Sequence, residues 1–357
     1  MGTLSSMTVW PPPTIRSLVS YGTPMLLAAA LSCAATADGK MLRDVVFTHY
    51  TDLSSNPELA RRLLSPATAT RIEQQLTSSG KIFAGQAVNL AAEKFIVYVP
   101  AQSPAQGYAL VVFVPPWQEA GLPEGWAAVL DSYGAIFVSA ARSGNDENTM
   151  GRREPLALLA AQNIIAEYPV DPQRVYIAGF SGGSRIALRL ALGYPDLFRG
   201  AILNAGSDSI GDPTAEPPIP LPPRDLFFQF QERTHLVYVT GERDTPHIDD
   251  DLLSLRSMHQ WCVFNVEDIV QPFLGHTVAQ PAELSRALGS LAADARPDPG
   301  KLAHCRSAID AELDAKFQKV ESLIASGRRT AADKLLDKID LRYGGLAAPR
   351  STELAQK

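Results

Sequence analysis

The chain has 357 residues, 46% hydrophobic and 20% charged, which is the composition of a globular protein with room for one large core and an appendage. Its net charge is −6; the first 37 residues contribute Arg16 and no acid, so the remainder carries −7. This mild acidity, with no Lys/Arg run, excludes the basic face that nucleic-acid binding needs.

The N-terminal stretch is Arg16, then SLVSYGTPMLLAAALSCAATA, then Asp38. A basic start, an apolar run and Ala35-Thr36-Ala37 are the three parts of a secretory signal cleaved after Ala37. This reading predicts a periplasmic or secreted protein with no integral membrane domain after cleavage. Two alternatives stand beside it. Leu31-Ser32-Cys33 has the form of a lipoprotein cleavage site, with Ala30 where a larger aliphatic residue is usual. The run could also remain as an uncleaved anchor, although Gly22, Pro24 and Ser32 make it short for a span. Met7 and Met25 are further in-frame starts.

Residues 53–79 read as helix around Leu59 to Leu64 and again from Ala67 to Leu76. KIFAGQAVNL (81–90) and EKFIVYVP (93–100) then read as strands. YALVVFV (108–114) is a nearly continuous apolar run, as expected of a strand buried on both faces. Residues 122–131 read as helix and GAIFVSA (134–140) as a second buried strand. Further along, helical patterns at 153–169, 181–195, 250–261 and 281–295 alternate with strands VYIAG (175–179), GAILNAG (200–206), HLVYVTG (235–241) and CVFNVEDIV (262–270). Such alternation predicts an α/β fold with a mostly parallel sheet covered on both faces and an antiparallel opening edge. ARPDPG then reads as a linker. Beyond it, Leu302, Ile309, Leu313, Phe317, Val320 and Ile324 form a helical stripe, Gly327 breaks it, and Ala332, Leu335, Leu336 and Ile339 mark a second helix. The predicted organisation is a signal at 1–37, an N-terminal helical segment at 38–80, a catalytic domain at 81–295 and a C-terminal helical extension at 296–357. A lone hairpin buries too little to stand alone, so it is expected to pack on the body; a protein partner docking on it is the alternative.

In VYIAGFSGGSRIAL, Gly179-Phe180-Ser181-Gly182-Gly183 joins an apolar strand to an apolar helix. A sharp turn there exposes the Ser181 hydroxyl, and the amide of Gly182 opens the helix toward a developing oxyanion. A serine nucleophile needs a base and an orienting acid, which follow it in the chain in the order acid, then histidine. Asp244 comes after VYVT, and His276 comes after VEDIV and a short loop. Both fall at strand ends, on the rim where Ser181 lies. Asp208 is the rival acid; Asp249, Asp250 and Asp251 read as a helix start, and His247 as a lining residue. Arg142 and Asn145, in the polar loop after the fourth strand, and Phe180 are candidate substrate contacts. Residues 213–223 hold six prolines, followed by Leu226, Phe227, Phe228 and Phe230, a segment that suits either a cap or a core excursion.

The run DPQRVYIAGFSGGSRIALRLALGYPDLFRGAILNAGS, with Gly241-x-x-Asp244 and Gly275-His276, resembles the alpha/beta-hydrolase superfamily, and within it the esterases related to polyhydroxybutyrate depolymerases. The resemblance covers roughly residues 80 to 292. It implies an eight-stranded sheet, a Ser181-His276-Asp244 triad, no cofactor, and hydrolysis of a small-molecule or polymeric ester through an acyl-enzyme. The chain departs from that group after the third strand, where relatives carry a His-Gly pair and this sequence reads VVFVPPWQEAG. Pro115 and Pro116 have no amide hydrogen to donate, so the second oxyanion donor falls to Trp117, or else Gln118. A peptidase with the same triad, and a non-catalytic binding protein working through its C-terminal hairpin, are the other function classes. No spacing of cysteines or histidines suits a metal. Removing the signal leaves Cys262 and Cys305, and two thiols in an oxidising compartment usually pair.

Overall fold

The computed structural model describes residues 39–80, 83, 85–215, 218–293 and 296–357, which belong to one compact unit. The signal read at 1–37, with Cys33, lies outside the described residues. The strands are β1 (Lys40–Val45), β2 (Phe95–Val99), β3 (Tyr108–Val114), β4 (Ala135–Ala140), β5 (Val170–Phe180), β6 (Gly200–Asn204), β7 (His235–Gly241) and β8 (Val266–Gln271). They form one eight-stranded sheet in the order β1-β2-β4-β3-β5-β6-β7-β8. β2 runs antiparallel to both its neighbours, and every other pairing is parallel.

The helices that clothe the sheet are α1 (Asn56–Leu63), α2 (Pro66–Ser78), α3 (Trp126–Tyr133), α4 (Glu154–Glu167), α5 (Gly182–Gly193), α6 (Arg224–Arg233), α7 (Thr245–Gln260) and α8 (Pro281–Ala292). Beyond them come α9 (Pro299–Ala325), α10 (Arg329–Tyr343) and α11 (Arg350–Gln356). Every residue of β3, β4, β6 and β7 is buried. The two faces of the sheet feed separate apolar cores, one with α4 and α5, the other with α3 and α8. Alternation along a strand sends Leu110 and Val112 to the first core, and Val111 and Phe113 to the second.

Two features differ from the sequence reading, and a third falls on one of two alternatives it left open. The opening edge strand is Lys40–Val45, inside the segment read as helical, and not residues 81–90. An edge strand is solvated along one side, so KMLRDV carries charges and no apolar run. Among the described residues of 81–90, the strand pairing is one isolated bridge, Gln86 to Ser55, and a short helical turn starts at Leu90. Second, the last strand starts at Val266, and Cys262 sits before it in a left-handed turn with φ 62°. Third, the proline-rich segment enters the core: Ile210, Ile219, Leu221, Phe227 and Phe230 are buried. It forms the seat of the C-terminal helices. The Gly345 amide donates to the Leu221 carbonyl at 2.7 Å, Tyr343 meets Trp261 edge-on at 5.5 Å, and Arg306 donates to Gln231, Glu232 and the Phe228 carbonyl. The buried stripe of α9 (Leu313, Phe317, Val320) faces inward, and a Cys262–Cys305 disulfide ties α9 to the body.

Candidate active site

β5 runs straight into α5 through Ser181, which takes φ 54° and ψ −125°. A side chain at positive φ costs about 1–3 kcal/mol and persists only where the surroundings enforce it. Two glycines make the corner sterically possible. A Cβ on Gly179 would collide with the Gly183 carbonyl, and one on Gly183 with the Val114 carbonyl. The Ser181 amide donates to the Asn204 carbonyl at 2.8 Å, which holds the corner against β6.

The other two predicted residues arrive from neighbouring strand ends. Ser181 Oγ lies 3.0 Å from His276 Nε2, and His276 Nδ1 lies 2.7 Å from Asp244 Oδ2. The acid turn and the histidine loop are knitted together by backbone bonds from Glu242 to Gln271 and from Arg243 to Leu274. Asp244 is 6% exposed and is shared: His247 Nδ1 donates to its other oxygen at 2.7 Å. Burial alone would push the Asp244 carboxyl up, but the hydrogen bonds and charges of His247 and His276 outweigh it and hold it below the usual carboxylate range. Asp208 lies elsewhere, paired with Arg185.

No family profile matches the chain. Among curated proteins it is similar to poly(3-hydroxyalkanoate) depolymerase C of Paucimonas lemoignei, 32% identical over 124 residues, which is 30% of each chain. It is also similar to a poly(3-hydroxybutyrate) depolymerase of Ralstonia pickettii, 30% identical over 95 residues, 23% of this chain and 20% of that one. The match thus spans less than a third of either relative's length. Among solved structures, a poly(3-hydroxybutyrate) depolymerase from Bordetella parapertussis superposes with a TM-score of 0.41 at 18% identity, over 60% of this chain and 88% of the other. The eight-stranded, mostly parallel sheet with helices on both faces has the alpha/beta-hydrolase fold.

The loop after β3, which carries Trp117, is stitched to the loop after β4. The Asn145 amide donates to the Pro116 carbonyl at 3.0 Å and the Arg142 amide to the Gln118 carbonyl at 2.6 Å. Arg153, 4% exposed, donates from Nε to the Ser143 carbonyl and from Nη2 to the Pro115 carbonyl. The peptide on either side of Trp117 is therefore pinned. Phe180 is buried between the Trp117 ring at 6.0 Å and the His276 ring at 4.8 Å, so it supports the histidine from below. Asn145 is exposed and its side chain lies against Gly182. Arg142 is engaged by Glu93, together with Arg152.

Sequence reasoning missed one residue of the site, Asn204, and gave a second, His247, only a lining role. Asn204, 2% exposed at the end of β6, accepts the Ala279 amide at 2.6 Å and donates to the carbonyls of Val239 at 2.6 Å and Thr277 at 3.4 Å. It thus joins the nucleophile strand, the acid strand and the loop of His276. Its one visible signal is a polar residue ending an otherwise apolar strand. In sequence, His247 lies too near Asp244 to serve as the base and reads as a lining residue. One turn into α7 is the distance that brings its ring onto the carboxylate, stacked at 4.1 Å over His276.

Proposed function

We propose that the protein is a serine esterase that cleaves a carboxylic ester through an acyl-enzyme. The observation that carries this reading is the unbroken hydrogen-bond chain from Ser181 Oγ through His276 to Asp244. In the reaction, His276 Nε2 takes the Ser181 proton as Oγ attacks the ester carbonyl carbon. The carbonyl oxygen becomes an oxyanion facing the amides of Gly182 and Trp117; the first amides of a helix have no partner within it and are available to donate. His276 returns the proton to the leaving alkoxide, the C–O bond breaks, and the acyl group stays on Ser181. Water, deprotonated by His276, then releases the acid and restores the serine. Asp244 fixes the Nδ1–H tautomer and stabilises the charged imidazole. His247 and Asn204 act as positioning residues for Asp244 and for the His276 loop, and Asn145 as a substrate contact.

Access favours a wide or extended ester, in line with the depolymerase names of the curated relatives. His276 is 38% exposed, and the proline-rich segment, whose sequence also suits a cap, is occupied in the core. Export through the N-terminal signal, cleaved after residue 37, is part of the same proposal, with the edge strand at 40–45 counted in the body of the enzyme. Two observations are consistent with export: the Cys262–Cys305 disulfide, and, among the described residues, no helix long and apolar enough to cross a membrane. A fluorophosphonate probe tests the mechanism. It should label the wild type once and spare Ser181→Ala, and that variant and His276→Ala should each lose several orders of magnitude in kcat on p-nitrophenyl esters. Wild-type labelling of Ser181→Ala would sink the assignment. Assay of p-nitrophenyl esters of graded chain length beside a polymeric ester would define the acyl group.

A further inference from the structure

At the rim opposite Ser181, where the parallel strands begin, lies a polar cavity of about 600 Å³. Its wall includes Asp171, Arg174, Arg199, Arg233, His235 and Arg296. In a chain of net charge −6 this is a local reversal of sign. Among the described residues the acids nearby are already engaged. Asp171 pairs with Arg174 at 3.1 Å, Asp196 with Arg62 at 2.7 Å, and Glu267, the acid nearest His235, accepts from Ser290.

Among the described residues, two arginines of the wall are left without a carboxylate. The Arg199 backbone is fixed between strands, its amide donating to Val175 and its carbonyl accepting from His235. Its Nη1 donates to the Pro195 carbonyl, while its Nε is buried without a partner. Arg233, in the last turn of α6, is exposed and makes no hydrogen bond or ion pair among the described residues. It stands close enough to Arg199 that, after burial, its charge is the main cause lowering the Arg199 pKa. His235 is 8% exposed and lines the same cavity, and its Nδ1 is likewise buried without a partner. Two guanidiniums that repel each other form an arrangement that a bound anion would relieve.

We propose that this cavity binds a small organic polyanion, of the phosphorylated or polycarboxylate class. A planar guanidinium matches either oxyanion with two donors, and the volume exceeds what a single phosphate group needs. The site is separate from the catalytic one. The paired stretch of β5, from Val175 to Gly179, lies between the two rims, about 15 Å at the rise of a strand. The anion is therefore a second ligand and not the scissile ester.

The test is thermal unfolding and isothermal titration of the mature protein with pyrophosphate or citrate, against sodium chloride at equal ionic strength. Either anion should raise the unfolding midpoint beyond the chloride control, by mass action on the folded state. The two arms separate the phosphate from the carboxylate class. Arg233→Glu reverses an exposed charge with no partner in the fold, so the variant should fold. It should bind the anion about tenfold more weakly or worse, while fluorophosphonate labelling of Ser181 stays at the wild-type rate. If neither anion stabilises more than chloride, or if Arg233→Glu binds as the wild type does, the proposal fails. Arg199→Gln serves as the second variant and should weaken binding in the same direction.

Discussion

Asn204→Ala separates holding the fold from holding the catalytic geometry. The side chain makes two hydrogen bonds of 2.6 Å and one of 3.4 Å, and all three lie at a buried junction. The long one contributes little. Losing the two short ones costs about 1 kcal/mol each, and the Ala279 amide left unpaired adds about 1–3 kcal/mol, so about 3–5 kcal/mol of stability should go. The Ser181 amide keeps its bond to residue 204, because that acceptor is backbone. The serine therefore stays in place while the 277–279 segment, and with it His276, loses its tether. A drift of about 1 Å in a catalytic group costs about 100-fold in rate. Urea unfolding would give the first number, and kcat on a p-nitrophenyl ester, measured well below the unfolding transition, the second. Stability lower by about 3 kcal/mol with kcat within twofold of wild type would refute the positioning role and leave Asn204 as a purely structural tie.

Further outcomes follow from the same structure. Reducing the Cys262–Cys305 disulfide opens a loop of 43 residues, which in the chain-entropy model removes about 4 kcal/mol; an unchanged unfolding midpoint in reductant would contradict it. His247→Ala removes one donor from Asp244, so its carboxyl should rise toward the usual value and kcat should fall about tenfold with KM little changed, a smaller loss than for Asp244→Asn; an equal loss in the two would mean that His247 does more than position. Asp251 is buried against Thr240, and burial raises its carboxyl to about 7. Its folded form keeps a proton that the unfolded chain gives up near pH 4, so the wild type should lose up to about 2–4 kcal/mol relative to Asp251→Asn as pH rises from about 4 to 7, and nothing more beyond. Stability curves of the two proteins that run parallel across that range would remove the assignment.

The parts of the protein legible in the sequence are those written by neighbouring residues. The apolar runs at 108–114, 134–140, 175–179 and 235–241 are strands because a strand buried on both faces must be apolar at every position, and each is fully buried. The serine corner is legible for a similar local reason: its glycines avoid clashes with backbone three or four residues away or on the adjoining strand. The order of Ser181, Asp244 and His276 was readable because a parallel sheet delivers successive strand ends to one rim, and a single hydrogen-bond chain links the three. What only the tertiary structure decided are choices among partners distant in sequence. The edge strand at 40–45 is a strand because β2 offers it an unpaired side, and its own composition does not announce this. Arg142 turned to Glu93, Arg153 closed on two loop carbonyls, and Phe227 and Phe230 filled the core in place of covering the site. Polar and aromatic side chains satisfy whichever group the fold brings within reach, and the sequence records the side chain without recording what will stand opposite it.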